Sequence, residues 1–173
     1  MTPALQLPHP ELWPVTVDWE LNFLHSPGKK AAAYWQALRG PRAMPARREL
    51  RPDAMKAFLP HASLVDVVPG GCGNKDYIVA LLGGHAREVF GDIKGRRPQE
   101  IFPPLIERRW RRCFDLPYAE SRPARLLSRA STGMKNWLAC EALVAPLGED
   151  NEIRAFLWVF ASWPANCANE DFA

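Results

Sequence analysis

The sequence predicts an α+β fold built on an antiparallel sheet, and three observations carry that prediction. Two runs rich in β-branched residues, Ala62 to Val68 and Asp76 to Leu82, stand ahead of a glycine-punctuated segment with short helical stretches. Three further strand-like runs follow, Ala124 to Ala130, Trp137 to Ala145 and Ile153 to Trp163. Before them lies an N-terminal helical extension, so the chain divides into an arm and extension (1–60), a core (61–163) and a tail (164–173).

At 173 residues the chain suits one domain with an extension. Its 47% hydrophobic content is that of a folded protein and excludes a disordered one. The net charge of +3 is too small to indicate nucleic acid by itself. Cys72, Cys113, Cys140 and Cys167 are far apart and lack the Cys-x-x-Cys spacing of zinc or redox sites, so reduced thiols and no metal are expected. The N-terminus shows no basic stretch leading into an apolar run, and no segment reaches the roughly 18 apolar residues of a membrane span. A cytoplasmic protein without membrane contact is the expectation.

Pro3, Pro8, Pro10 and Pro14 make residues 1–14 an extended arm, although Leu12 and Trp13 are costly to leave wet. Asp18 reads as the N-cap of a short helix through Leu21 and Leu24 that Ser26-Pro27-Gly28 would end. From Lys30 to Arg39 a second helix is expected, because Ala31, Tyr34, Trp35 and Leu38 form one apolar stripe before Gly40-Pro41. A third short helix from Pro52 would place Met55, Phe58 and Leu59 on one face and stop at Pro60.

The first two strands form a hairpin around Pro69-Gly70-Gly71. With Cys72 and Gly73 that loop has a phosphate-loop composition, but a strand rather than a helix follows it. His85 to Phe90 is a short helix closed by Gly91, and Gly95 allows a further turn before Gln99 to Phe102. Pro103-Pro104 opens a longer helix whose Ile106, Trp110, Cys113, Phe114 and Pro117 share a buried face. Turns at Thr132-Gly133 and at Gly148 to Asn151 separate the last three strands.

The final strand has Ile153, Ala155, Leu157, Val159 and Ala161 on one face and Phe156, Trp158 and Phe160 on the other. A sheet with one wet face cannot accept that pattern. Either the N-terminal helices or another protein must cover the second face.

Tyr34-Trp35-Gln36-Ala37-Leu38-Arg39-Gly40, Met44-Pro45-Ala46-Arg47 and Phe58-Leu59-Pro60-His61 resemble the start of a bacterial PAS family, in its subgroup of compact single-domain proteins common in alphaproteobacteria. Leu64-Val65-Asp66-Val67, Leu82-Gly83-Gly84 and Phe90-Gly91-Asp92-Ile93-Lys94-Gly95-Arg96 extend the resemblance over roughly residues 33–163. It implies a PAS-like five-stranded antiparallel sheet with helices on one face and a hollow between them. Such hollows take haem, flavin or small metabolites or are filled by side chains, and many relatives dimerise through the outer sheet face and an N-terminal helix. His85 departs from the small polar residue more usual there. A fold resemblance transfers no ligand, so no cofactor is named.

The expected role is therefore a non-enzymatic sensory or regulatory module acting through a small ligand, a signalling partner or a homodimer. His85, Phe90, Ile101, Trp110, Phe114 and Cys140 are candidate pocket residues, although an aromatic helical stripe is more often plain core. His85 is also a conceivable haem ligand, with a capping or surface histidine as the simpler reading. Tyr34, Trp35, Leu38, Phe156, Trp158 and Phe160 are candidates for a dimer or partner surface. Glu107-Arg108-Arg109-Trp110-Arg111-Arg112, with Arg47, Arg48, Arg51, Arg96 and Arg97, raises a nucleotide or nucleic-acid alternative; the arginines of the helix read first as its solvated side. No nucleophile elbow, His-Glu-x-x-His or comparable catalytic pattern stands out, and Cys140 with His61 is the nearest approach to a thiol–imidazole pair.

Overall fold

The computed structural model describes residues 15–131 and 137–164. In chain order the elements are β1 (Thr16–Asp18), α1 (Ser26–Arg39), β2 (Ala62–Pro69), β3 (Lys75–Leu81), α2 (Gly84–Phe90), α3 (Pro98–Ile101), α4 (Pro104–Glu120), β4 (Ala124–Ser131), β5 (Trp137–Glu149) and β6 (Glu152–Pro164). The extended arm, the Thr132-Gly133 turn and Cys167 lie outside the described residues.

The five strands read from the sequence form one antiparallel sheet in the order β3-β2-β6-β5-β4, and β1 adds a sixth strand beside β4. β5 and β6 are joined at Asp150 and Asn151, both at positive φ (52° and 61°), the geometry that turns a hairpin with the strand twist. Residues paired across antiparallel strands point to the same side. Val144 pairs with Trp158 and Ala142 with Phe160, which defines an inner face; Leu143 pairs with Val159 and Ala145 with Leu157, which defines an outer one.

Both faces are covered by this chain. Helices α2 and α4 bring Phe90 and Trp110 against Trp158 on the inner face, with ring centroids 5.7 and 6.1 Å away. Helix α1, from the N-terminal extension, lies against β5 and β6 on the outer face. Its Trp35 is 2% exposed and donates from Nε1 to Pro146 O at 2.8 Å. Emptying such an aromatic site costs about 3–5 kcal/mol.

Glu141 fixes the start of α1. Its carboxylate is buried on the outer face and accepts N–H bonds from Leu24 (2.8 Å) and His25 (3.0 Å), donors that a helix N-terminus otherwise leaves unsatisfied. Arg125 donates to the same carboxylate from Nε at 2.7 Å and reaches Asp18 at 3.3 Å. This network ties β1, α1, β4 and β5 together.

Several local expectations change. Asp18 does accept the N–H groups of Glu20 and Asn22, both at 2.8 Å, but no helix follows. Leu21 stands at φ 60°, and Asp18 itself belongs to β1. Ser26-Pro27-Gly28 opens α1 instead of ending an earlier helix, because a proline in the first turn lacks only an N–H that the helix does not use. Gly28 is required there by Phe23: a Cβ would lie 2.2 Å from the ring. The third helix is absent; single turns lead to a tight turn at Leu59–His61, since Pro60 bars the preceding residues from continuing a helix. Met55 and Phe58 are buried as expected, while Leu59 is exposed.

The largest correction concerns Phe156, Trp158 and Phe160. All three face inward beneath α2 and α4 and are buried, so they present no outer surface to a partner. Trp35 is likewise buried within the chain, and only Tyr34 and Leu38 of the predicted surface are partly exposed. The apolar second face of β6 finds its cover in α1.

Candidate functional site

A cavity of ≈ 290 Å³ lies between the inner sheet face and the helices. Its floor is Leu126, Ser128 and Arg129 of β4, Cys140 and Ala142 of β5, and Trp158 and Phe160 of β6. The roof is Val89 and Phe90 of α2, Ile101 and Phe102 at the end of α3, and Ile106, Arg109, Trp110, Cys113 and Phe114 of α4. Ala142, opposite Phe160, and Cys140, opposite Ser162, leave the space open. Large aromatics around small floor residues give walls without filling the centre.

The polar points of this apolar hollow are few. Arg109 Nη2 donates to Arg129 O at 2.6 Å and to Ser128 Oγ. Burial works against its charged form and lowers its pKa, with Cys113 and Cys140 opposing that effect. Burial also pushes the Cys113 thiol up to about 11, so at neutral pH it is a thiol rather than a thiolate. Trp110 is 8% exposed, and its Nε1–H is the one buried side-chain polar atom lacking a hydrogen-bond partner among the described residues. Such a group costs about 1–3 kcal/mol.

Of the pocket residues expected from the sequence, Phe90, Ile101, Trp110, Phe114 and Cys140 line this one cavity. His85 does not. Its Nε2 accepts the Ser162 N–H at 3.2 Å and lies 3.0 Å from Ser162 Oγ, and its ring sits 4.7 Å from that of His61. Burial first, then His61, lowers its pKa, while Glu88 opposes the shift. Among the described residues no imidazole lines this cavity, and the His85 Nε2 suggested for haem is engaged at Ser162. His61 Nδ1 donates to Phe160 O at 2.9 Å, and Cys140 Sγ lies 3.6 Å from Leu138 O. Among the described residues no three His, Cys, Asp or Glu side chains gather as metal ligands. Cys72, Cys113 and Cys140 form no disulfide.

A second, polar cleft lies between the β2–β3 turn and α4, bordered by Gly70, Lys75, Asp76, Gln99, Arg111 and Asp115 among others. Asp76 accepts bonds from Arg97 (2.7 Å), Gln99 (2.9 Å), Arg111 (2.9 Å) and the Tyr77 N–H (2.8 Å). Burial alone would raise its pKa, but these donors outweigh it and hold the carboxyl far below its usual range. Tyr77 OH donates to Asp115 at 2.6 Å, and burial together with that carboxylate raises the phenol. These groups bond mainly to one another and clasp α3 and α4 to β3.

Six of the arginines singled out in the sequence meet carboxylates. Arg47 meets Asp66, Arg48 meets Glu149, Arg51 meets Asp53, Arg96 meets Glu100, Arg97 meets Asp76, and Arg111 meets both Asp76 and Glu107. Arg109, read as part of a solvated face, turns inward. The period could have placed it, since residues 106, 109, 110 and 113 follow i, i+3, i+4 and i+7. Leu126, Ser128, Arg129 and Ala142 gave no signal, because their convergence depends on strand register.

A sheet ordered β3-β2-β6-β5-β4, roofed by short helices over an apolar hollow, is the architecture that the sequence resemblance implies. The family model for the PAS domain matches residues 23–158, and the chain belongs to that family. No curated protein and no solved structure matches the chain. No helix among the described residues is long and apolar enough to cross a membrane.

Proposed function

We propose that this PAS domain is a non-enzymatic sensor whose inner cavity takes a small, mostly apolar molecule and which passes the occupied state on by protein contact. The observation that carries this reading is the ≈ 290 Å³ hollow, which approaches the roughly 300–1,000 Å³ of ligand sites and combines aromatic walls with a few polar points. The polar cleft beside Asp76 supports no such reading, because its groups bond mainly to one another. Transmission would begin with α2 and α4, which form the roof and expose their far sides. A signalling protein or a second copy of the chain is the receiver this reading requires.

Ala142→Phe tests the reading by filling the floor of the cavity. Thermal melting is measured for wild type and variant with a set of small aromatic and branched aliphatic acids, alcohols and hydrocarbons. Compounds that raise the wild-type Tm are expected to lose that effect in the variant. Equal stabilisation of both proteins, or none of either, contradicts a cavity ligand.

A further inference from the structure

Helix α2 is tied to β6 at its start and roofs the cavity at its end. At the start, His85 Nε2 accepts the Ser162 N–H at 3.2 Å and lies 3.0 Å from Ser162 Oγ. At the end, Val89 and Phe90 line the cavity, and the Phe90 ring stands 5.1 Å from Phe160 and 5.7 Å from Trp158 on the floor. Phe160 links the two ends: the His85 ring lies 5.9 Å from its ring, and His61 Nδ1 donates to its carbonyl at 2.9 Å. Just before the helix, the Gly83 N–H is bonded to Ser63 Oγ at 2.9 Å, which pins the chain to β2 and leaves a pivot there. Two titratable groups act on His85. They are the His61 ring, 4.7 Å away in the Leu59–His61 turn, and the exposed Glu88 carboxylate, 3.9 Å away on α2 itself. From β6 the ring meets Ser162 and Phe160, which carry no charge.

Resting on the ligand-binding reading above, we infer that α2 is a proton-operated latch on the cavity, closed while His85 is neutral and open in acid, so that a ligand is held near neutrality and released below it. The bond to Ser162 needs a lone pair on Nε2, and an imidazolium has none. Protonation sets Nε2–H against the Ser162 N–H, donor against donor, and leaves the strand N–H without its acceptor. Ser162 Oγ accepts from the imidazolium but does not replace that acceptor. The new charge also faces His61, and a second imidazolium there repels it. Glu88 favours the cation, but water and salt screen its exposed carboxylate. Burial and His61 lower the His85 pKa, so the latch holds through neutrality and is lost as pH falls through the folded value. Turning about Gly83, the released helix lifts Val89 and Phe90 from the floor.

Calorimetric titration of the 173-residue chain with 3-phenylpropanol, which is uncharged at pH 7.5 and at pH 5.0, assigns any pH dependence to the protein. Wild-type affinity is expected to fall about tenfold between the two, within the usual range of a coupling between sites. His85→Gln keeps an acceptor for the Ser162 N–H and does not titrate, so its affinity should stay within about twofold. Amide exchange at the same two pH values reads the helix without a ligand. At pH 5.0 the wild-type α2 amides should exchange within about tenfold of an unstructured chain while those of β5 stay protected, and in His85→Gln both should stay protected. Wild-type affinity that does not change with pH, an equal fall in His85→Gln, or a loss of protection shared by α2 and β5 overturns the latch and leaves the cavity ligand standing. Absence of 3-phenylpropanol binding at both pH values counts against the ligand reading, and exchange of α2 against β5 then decides the latch. The same wild-type exchange decides it if His85→Gln does not fold.

Discussion

The Glu141 carboxylate accepts the Arg125 guanidinium at 2.7 Å while also receiving the Leu24 and His25 N–H groups at the start of α1. One side chain thus holds a buried ion pair and the entry of the helix that covers the outer face. Glu141→Ala leaves Arg125 buried and two backbone donors without an acceptor. It is expected to cost about 3–5 kcal/mol in urea unfolding and to remove amide-exchange protection from α1 before the central strands. Unchanged protection across Ser26–Arg39 would show that Trp35 alone retains the helix.

Asp76 plays the corresponding part on the other side of the sheet. Its folded pKa lies far below the unfolded value of about 3.9, so its stabilisation is complete above that value and is lost as pH falls through the folded one. Asp76→Asn should destabilise the protein at pH 7 by about 2–3 kcal/mol, discounted from a fully buried pair because Arg97 and Arg111 are partly exposed. The variant should also lose less stability than wild type between pH 4 and 2, measured by denaturant titration.

His85 gives a separate acid response near neutrality. Its native ring accepts the Ser162 N–H, and Glu88 at 3.9 Å opposes the lowering that burial and the facing His61 cause. Because the folded pKa is lowered, the contribution of the neutral ring is complete above about pH 6.5 and is lost as pH falls through the lower folded value. Wild-type Tm should fall between pH 7 and 5.5, and His85→Gln, whose amide oxygen still accepts an N–H, should flatten that fall. A parallel fall in both proteins would assign it to other groups.

Trp158→Asp distinguishes an inner from an outer position for this residue. With Trp158 4% exposed against Phe90, Trp110 and Phe160, a carboxylate there has no water and no partner. Loss of more than about 4 kcal/mol is expected, seen as an unfolded or molten chain by near-UV circular dichroism. A folded variant with altered native mass would instead place Trp158 at an interface.

Much of the architecture was legible because strand runs and glycine turns carry local signals. The β2–β3 and β5–β6 hairpins, α2 and the α4 stripe all follow from residues close in sequence. β1 has three residues and owes its existence to pairing with β4, which no local pattern announces. Pro27 was ambiguous because proline suits both the end of one helix and the first turn of the next. The doubly apolar β6 correctly demanded two covers, yet alternation alone does not say which face meets α1. For the same reason Phe156, Trp158 and Phe160 were expected outside. His85 was drawn toward the cavity by its place on α2, whereas the Ser162 backbone, 77 residues on, holds its ring elsewhere.

The cavity's occupancy is read most directly from the indole N–H signals in proton–nitrogen NMR spectra, with Trp110 assigned through Trp110→Phe. Trp35 serves as an internal reference, since its Nε1–H is already bonded to Pro146 O beneath α1. Titration with the small aromatic or branched aliphatic compound that raises the wild-type Tm most should move the Trp110 resonance to a saturating end point while the Trp35 resonance stays in place. A Trp110 signal that does not respond, or one that moves only in step with Trp35, would contradict ligand binding in this cavity.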